Sequence, residues 1–486
     1  MEQTSSAAYP NILVVDYVKK ARVASPQLLM KSEQFLNVGY QKLLTFERPG
    51  GGFDWWGNGE PLVWLSAYGL QEFSDMAKVY PIDRGIIDRT QAFLMRKMDK
   101  DATWSAIGAT HGETIANMGD PKLLLTSYVT WSLLDSGMNK KQLDKSIQFI
   151  RDHLKDANDN AYVLALAANA LAAYDPKDDS TLLALRRLDK LRNSIPEWKA
   201  INFPGRGTSL SYARGDSVAV ETTALAVLAM IRTGQFTNSV NQGLTYLVKS
   251  KEGNGTWGST QATILALKAM VAGMGGQEQK DPAHFVISVG GKEVARSKVD
   301  KDNADVMQTF DIKEPRALAS GTTTEIAIEV TGESNLMYQI VGRHFIPWKK
   351  DIAQEKPVID IDVAYDRTKL STNDLLHAKA TLKYHGKLPT YMVMIDLGIA
   401  PGFTVDAGDF AEMVGKKQIQ RFTITSRTVT LYLGDVKPGD VLNFEYTLKP
   451  KYPVRAQTPP STAYEYYTPA NRAEARPVEL TVEDRK

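Results

Sequence analysis

The apolar positions of this chain keep two different periods, one in each part of its length. Up to about residue 275 they recur three and four residues apart, which places them on one face of an α-helix. The segments "PNILVVDYVKKA", "EQFLNVGYQKLL", "PLVWLSAYGLQEF", "KLLLTSYVTWSLLDSG", "AYVLALAANALAAYD", "SVAVETTALAVLAMIRTG" and "STQATILALKAMVAG" all carry this spacing. Several end at a Gly or an Asp-Pro pair, ordinary helix stops. The helices are of two kinds. Asn160–Tyr174, Ser217–Thr233 and Ser259–Val271 mix Ala, Ser, Thr and Gly with larger apolar residues and leave almost no polar face, so they are expected to be buried all round. Lys140–Lys155 and Ser180–Ser194 are charged and amphipathic and belong outside. The two kinds alternate. Aromatic-glycine turns precede three of the buried helices, at Gly50–Glu60, Asp101–Gly108 and Gly253–Ala262, which marks an internal repeat of helical hairpins. Closing such hairpins into a ring yields an α/α toroid lined by the small-residue helices. An open solenoid is the rival arrangement.

The period changes at "MGGQEQKDP" (Met274–Pro282). "HFVISVGGKEVARSKVD" reads as a hairpin turning on Gly-Gly, and "TEIAIEV" and "LMYQIVGRHFIP" alternate as strands do. After the charged linker Lys349–Pro357, the runs "VIDIDVAYD", "HAKATLKYHG", "PTYMVMIDLGIAPGF", "QRFTITSRTVTLYLGDVKPGD", "LNFEYTLKPKYPV" and "TAYEYYTPANRAEA" suggest an antiparallel sandwich, with one short helix inserted at Asp406–Gly415. The expected organisation is an α/α toroid over 1–275, a β-domain over 276–350 and a β-sandwich over 356–486: α followed by two antiparallel β-domains.

Composition narrows the chemistry. With 58 basic and 56 acidic side chains the net charge is +2, which leaves no electrostatic footprint for nucleic acid or an anionic membrane. No stretch approaches the ~20 apolar residues of a membrane span, and no leader for export opens the chain. There is no Cys, so disulfides, thiolate metal sites and cysteine nucleophiles are excluded within these residues.

Four stretches carry a resemblance: "MEQTSSAAYPN"; "GYQKLLTFERPGGGFDWWG" followed by "WLSAYGLQEF"; "GTWGSTQATILALKAM"; and the set "MIDLGIAPGF", "VTLYLGDV", "AYEYYTP". In this order they resemble the C-terminal third of the α2-macroglobulin and complement thioester family, and the resemblance runs over essentially the whole chain. It implies a thioester-type toroid, a CUB-like β-domain and a receptor-binding-type sandwich. In that family a Cys thiol is joined to the acyl carbon of a Gln three residues later, a spacing that lets the two side chains meet on one helical turn. By resemblance Glu2 and Gln3 close a Cys-Met-Glu-Gln motif whose Cys lies ahead of Met1. The expectation is therefore a fragment cut just after that Cys, with Gln3 as acyl donor. A genuine N-terminus with an unremarkable Glu-Gln is the plain alternative.

A thioester must be kept dry, and a nearby His can attack its carbonyl to give an acyl-imidazole while the released thiolate serves as base. The resemblance places His111, in "TWSAIGATHGETIANMG", as that acyl-transfer residue, with Glu113 to orient its ring. The alternative is a loop His that caps or is solvated. His153, His284, His344, His377 and His385 read as structural or exposed. The aromatic cover implied by the family falls on Tyr432 and on Tyr466 or Tyr467, against ordinary strand tyrosines. Trp55, Trp56, Trp64, Trp104 and Trp257 read as toroid packing.

The resemblance implies a protease-trapping inhibitor, with target proteases as partners and neither cofactor nor metal, acting by covalent capture without turnover. The lack of Cys points to the bacterial branch, whose members are periplasmic or secreted and often lipid-anchored. The missing front strands of the CUB-like sheet imply an exposed edge and self-association. Two rivals stand beside this reading. One is a structural or interaction module in which the thioester is dead. The other is a toroid enzyme such as a terpenoid cyclase or prenyltransferase; the latter needs a Cys-containing zinc site, and the acidic run Asp175–Thr181 reads as helix capping.

Overall fold

A computed structural model describes residues 1–21, 26–105, 121–205, 207–252, 255–273, 282–300, 303, 308–312, 323–332, 338, 340, 342 and 357–484. The helices are α1 (Glu2–Ala21), α2 (Pro26–Leu44), α3 (Val63–Val79), α4 (Gly85–Arg96), α5 (Pro121–Asp135), α6 (Asp144–His153), α7 (Ala161–Tyr174), α8 (Asp179–Lys190), α9 (Asp216–Thr233), α10 (Thr237–Lys249) and α11 (Thr260–Gly273). Each odd-numbered helix packs on the next odd-numbered one, and α11 returns against α1. The ring is closed, which removes the open-solenoid alternative. The even-numbered helices lie outside, α2 on α1, α4 on α3, α6 on α5, α8 on α7 and α10 on α9.

The reason is legible in the side chains. α7 buries every residue from Ala161 to Ala172, four of them Ala before Asn169, so its neighbours approach from both sides. α8 buries only the stripe Thr181, Ala184, Leu185 and Leu188. Where α1 and α2 cross, a Cβ on Gly39 would stand 2.6 Å from the Ala8 Cβ, so only Gly permits the approach.

The internal repeat has a recurring hydrogen bond. A backbone N–H in the turn before an inner helix donates to a hydroxyl near the start of that helix: Phe53 to Ser66, Trp104 to Thr126, Phe203 to Thr223 and Trp257 to Thr263. The turn at Phe203 is a fourth copy, and its sequence, with Phe203 followed by Gly205, also pairs an aromatic residue with glycine. Trp104 and Trp257 each donate from the indole to a carbonyl of the preceding outer helix, Leu94 and Leu247.

Two outer helices are shorter than their patterns. Lys140–Lys155 divides into 3₁₀ turns flanking α6. Ser180–Ser194 ends at Lys190, and its last residues enter a small hairpin of β1 (Asn193–Ile195) and β2 (Ala200–Asn202). Pro196 drives Ile195 out of the helical region, so the helix cannot run on to it. Asp178 caps α8 by accepting the Ser180 N–H at 2.9 Å, the role expected of the acidic run.

An ion pair ties the ring where α11 meets α1 and α3. Lys268 of α11 lies 2.8 Å from Asp75 of α3, and Tyr9 of α1 donates to the same carboxylate at 2.7 Å. Burial alone would raise the Asp75 carboxyl, but the Lys268 and Lys78 charges outweigh it and hold it far below the usual range.

Beyond the ring, β3 (Ala283–Val289), β4 (Lys292–Val299) and β5 (Ile326–Thr331) form an antiparallel sheet in the order β4-β3-β5. Gly290 and Gly291 both have positive φ, as a two-residue hairpin turn requires. The terminal domain contains β6 (Ile359–Tyr365), β7 (Lys369–Ser371), β8 (Leu376–Tyr384), β9 (Thr390–Tyr391), β10 (Val393–Gly398), β11 (Phe403–Val405), β12 (Arg421–Ile424), β13 (Thr428–Tyr432), β14 (Asp435–Val436), β15 (Val441–Pro450), β16 (Val454–Gln457), β17 (Ser461–Glu465), β18 (Thr468–Ala475) and β19 (Glu479–Glu483), with the expected helix α12 at Ala407–Gly415. Sheet β12-β13-β10-β17-β18 packs over sheet β11-β15-β8-β6. All pairings within these two sheets are antiparallel, and the short β7–β19 pair at the rim is parallel.

Candidate functional site

The site forms where the first turn of α1 meets the outward face of the five-stranded sheet. The α1 backbone is already helical at its start, with the Met1 carbonyl accepting from the N–H groups of Thr4 and Ser5. Glu2, only 4% exposed, accepts at Oε2 from the Tyr467 hydroxyl at 2.8 Å. The Gln3 carboxamide reaches the Met394 sulfur at 3.5 Å.

Strand register explains why Met394 stands there. Val393 and Ile395 point into the sandwich core, so Met394 between them points out. Paired residues run across the sheet in one row: Arg421, Tyr432, Met394, Tyr464, Arg472. The row faces the ring, and Met394 and Tyr432 belong to the ring's hydrophobic cluster rather than to that of the sandwich. Tyr466 and Tyr467 lie between β17 and β18, where the hairpin register shifts. They are turn residues, not strand residues, and their rings pack edge to face at 5.0 Å. The Tyr466 hydroxyl lies 3.1 Å from Thr260 at the start of α11.

From the ring side, the glycine turn before α3 supplies Trp55 and Trp56. Asp54 shapes this turn: its Oδ2 accepts from the backbone N–H groups of Trp56, Gly57, Asn58 and Gly59 at 2.9–3.1 Å. Burial alone would raise the Asp54 carboxyl, but these amides outweigh it and hold it below its ordinary value. Trp55 meets Tyr391 at 6.3 Å, and Trp56 takes the Tyr432 ring edge-on at 5.9 Å with the Arg421 guanidinium over its face. These two tryptophans therefore serve the interface, whereas Trp104 and Trp257 are ring packing as expected. Tyr212, with φ +63°, wedges between Trp64, Tyr391 and Tyr467. The space beside Gln3, about 340 Å³ including its opening to solvent, is lined by Met1, Glu2, Trp55, Trp56, Met392, Arg421 and Tyr466.

Glu2, Gln3, Tyr432, Tyr466 and Tyr467 are thus brought together. His111 and Glu113 lie outside the described residues, as do His344 and most of the linker Lys349–Pro357. His153 stacks on Phe149 at 4.0 Å on an outer helix. Three buried glutamates mark the ring. Burial pushes Glu2 and Glu72 up to about 8 and Glu221 up to about 7. Glu221 accepts from Ser211 and Ser259 at 2.8 and 3.2 Å, whereas neither carboxyl oxygen of Glu72 has a hydrogen-bond partner. Among the described residues no cluster has the makings of a metal site. Nor is any described helix long and apolar enough to cross a membrane.

Comparison with known proteins places this geometry. Residues 1–272 match the family described as the A-macroglobulin TED domain, and residues 389–476 match the A-macroglobulin receptor binding domain. The chain belongs to the A-macroglobulin TED-domain family. Among curated relatives it is 22% identical to ovostatin of Gallus gallus, over 96% of this chain and 32% of that protein. It is 23% identical to thioester-containing protein 1, allele R1, of Anopheles gambiae, over 96% of this chain and 34% of that protein. The chain spans about a third of the length of these relatives. Among solved structures, Escherichia coli α2-macroglobulin from domain MG7 to the C-terminus superimposes with TM-score 0.66 at 14% identity, over 99% of this chain and 73% of that one. Salmonella α2-macroglobulin reacted with methylamine superimposes with TM-score 0.65 at 15% identity, over 99% of this chain and 30% of that one. These likenesses establish the shared fold.

Proposed function

We propose that this chain works as the C-terminal part of a broad-spectrum protease-trapping inhibitor, and that Gln3 is the acyl half of a thioester. The observation that carries the reading is the position of Gln3: on the first turn of α1, with its carboxamide under the sheet row centred on Met394. The partner sulfur belongs to a Cys immediately before Met1, three positions from Gln3 and on the same turn. In the closed state Tyr432, Tyr466, Tyr467, Trp55 and Trp56 exclude water from the acyl carbon. When cleavage of the inhibitor by its target lifts the sandwich, an amine or hydroxyl of the protease attacks the carbonyl. The C–S bond breaks, the thiolate leaves and takes up the nucleophile's proton, and a new amide or ester links Gln3 to the protease. His111 serves as the intermediate nucleophile, forming an acyl-imidazole that the target hydroxyl then displaces. The partners are target proteases, the capture runs once without turnover, and the periplasm or the extracellular space is its location.

The test is a protease challenge of the protein expressed with the residues that precede Met1. A protease conjugate that survives denaturant and disappears in Gln3→Ala supports the reading, and a conjugate indifferent to Gln3→Ala overturns it. His111→Asn is expected to shift capture from hydroxyls toward amines; unchanged selectivity removes His111 from the mechanism. A second reading is a thioester-dead interaction module on the same scaffold. Absence of any titratable thiol after methylamine treatment of the longer protein would select it.

A further inference from the structure

We propose that Glu2 is a positioning residue whose neutral carboxyl latches the terminal sandwich over Gln3, and that loss of its proton releases the cover. The inference rests on the reading of Gln3 as a covered acyl group. Its basis is a hydrogen-bond inventory. Glu2 is 4% exposed and bonded across the two domains, Oε2 accepting from Tyr467 at 2.8 Å. Its Oε1 is buried and has no partner. As a neutral acid the group is tolerable there. As a carboxylate it is a buried charge with one neutral donor, which a closed, dry interface holds only at a large penalty. Lifting the sandwich hydrates it, so ionisation and opening favour one another.

One cation, Arg421, lines the space that Glu2 also lines, and its guanidinium is held over the Trp56 ring. The other groups that face Glu2 are Glu221, Tyr68, Tyr212, Tyr391, Tyr466 and Tyr467. Burial, first among the causes, holds all five phenols above their ordinary value, so they stay neutral through the physiological range. The Met1 nitrogen donates to the Trp55 carbonyl, and with a residue before it, as in the reading above, it is a peptide N–H that carries no charge. Glu2 itself is pushed by burial up to about 8 from an ordinary 4.5. The closed state therefore keeps a proton that the open state releases. Closure is strongest below pH 4.5 and weakens by up to tenfold per pH unit until about pH 8, then levels off. The informative quantity is the ratio between the chain and its Glu2→Gln variant, which shares every other titrating group.

In the protein expressed with its preceding residues, Met394→Cys adds a thiol beneath the cover, and its modification is followed by mass spectrometry of the peptide that carries residue 394. Its rate of modification by a thiol reagent reads the open population. The rate is compared at each pH with that of Met394→Cys/Glu2→Gln, so that thiolate chemistry divides out. The ratio of the first rate to the second is expected to climb toward tenfold per pH unit between pH 5 and 8 and to stay level above. Adding Tyr467→Phe to Met394→Cys is expected to speed modification about fivefold at pH 5, the worth of one lost hydrogen bond. A flat ratio with slow modification in both chains overturns the latch and leaves the cover standing. Modification as fast as in the urea-unfolded chain, in every variant and at every pH, means that nothing covers Gln3, and both this inference and the reading beneath it fall.

Discussion

Replacing Asp54 by Ala tests how the site is positioned, because one carboxylate oxygen of Asp54 holds four consecutive backbone N–H groups, those of Trp56 to Gly59. The side chain itself is 6% exposed. Asn58 and Gly59 are exposed, so their amides find water once the carboxylate is gone; Trp56 and Gly57 are half-buried and theirs do not. Two poorly hydrated amides at about 1 kcal/mol each, plus the loss of charge assistance, give about 2–3 kcal/mol for Asp54→Ala. Asp54→Asn keeps an acceptor and is expected to lose about half as much. Urea unfolding followed by far-UV circular dichroism measures the loss, and the near-UV signal reports whether Trp56 still meets Tyr432. A loss below about 1 kcal/mol for Asp54→Ala, with the near-UV signal intact, would refute the claim that this cage sets the tryptophans.

Other substitutions reach the ring itself. Asp75→Ala leaves the half-buried Lys268 ammonium without its carboxylate in the seam of α1, α3 and α11 and is expected to cost about 2–3 kcal/mol in urea unfolding. Gly39→Ala forces its Cβ against Ala8 and is expected to cost about 1–3 kcal/mol, read as a lowered melting temperature. Glu72 is pushed up to about 8 by burial and Glu221 up to about 7, so each keeps a proton in the fold that the unfolded chain releases. Their contribution is whole below about pH 4.5 and lost as pH rises toward 8. Glu72→Met removes a buried carboxyl without partners and is expected to unfold at higher urea than the parent at pH 8, with the advantage shrinking at pH 5.

The ring was readable because its inner helices have no polar face to place in water and must therefore be packed on every side, as α7 shows. The hairpin at Gly290–Gly291 and the helix at Ala407–Gly415 were readable from turn and capping chemistry that acts locally. The aromatic-glycine turns announced three of the four repeated hydrogen bonds, and the fourth, at Phe203 with Gly205 after it, went unread. The strands β1 and β2 went unread because the charged helical pattern runs on to Ser194, past the helix end at Lys190, and each strand is only three residues long. At the site, Glu2, Gln3 and the tyrosines were reached through resemblance. Met394, Tyr464 and Arg421 were not, since their role depends on strand register between segments up to 70 residues apart. A strand's alternation tells which residues share a face, but not that the face opposite the sandwich core will meet a helix terminus some 390 residues earlier.

The central claim, that Gln3 carries an acyl group shielded by the sandwich, meets its most direct test in mass spectrometry of the protein expressed with its preceding residues and treated with methylamine. The account requires an N-methylamide on the Gln3 side chain and one newly free thiol at the position before Met1. An unmodified Gln3 carboxamide in the methylamine-treated protein would contradict it.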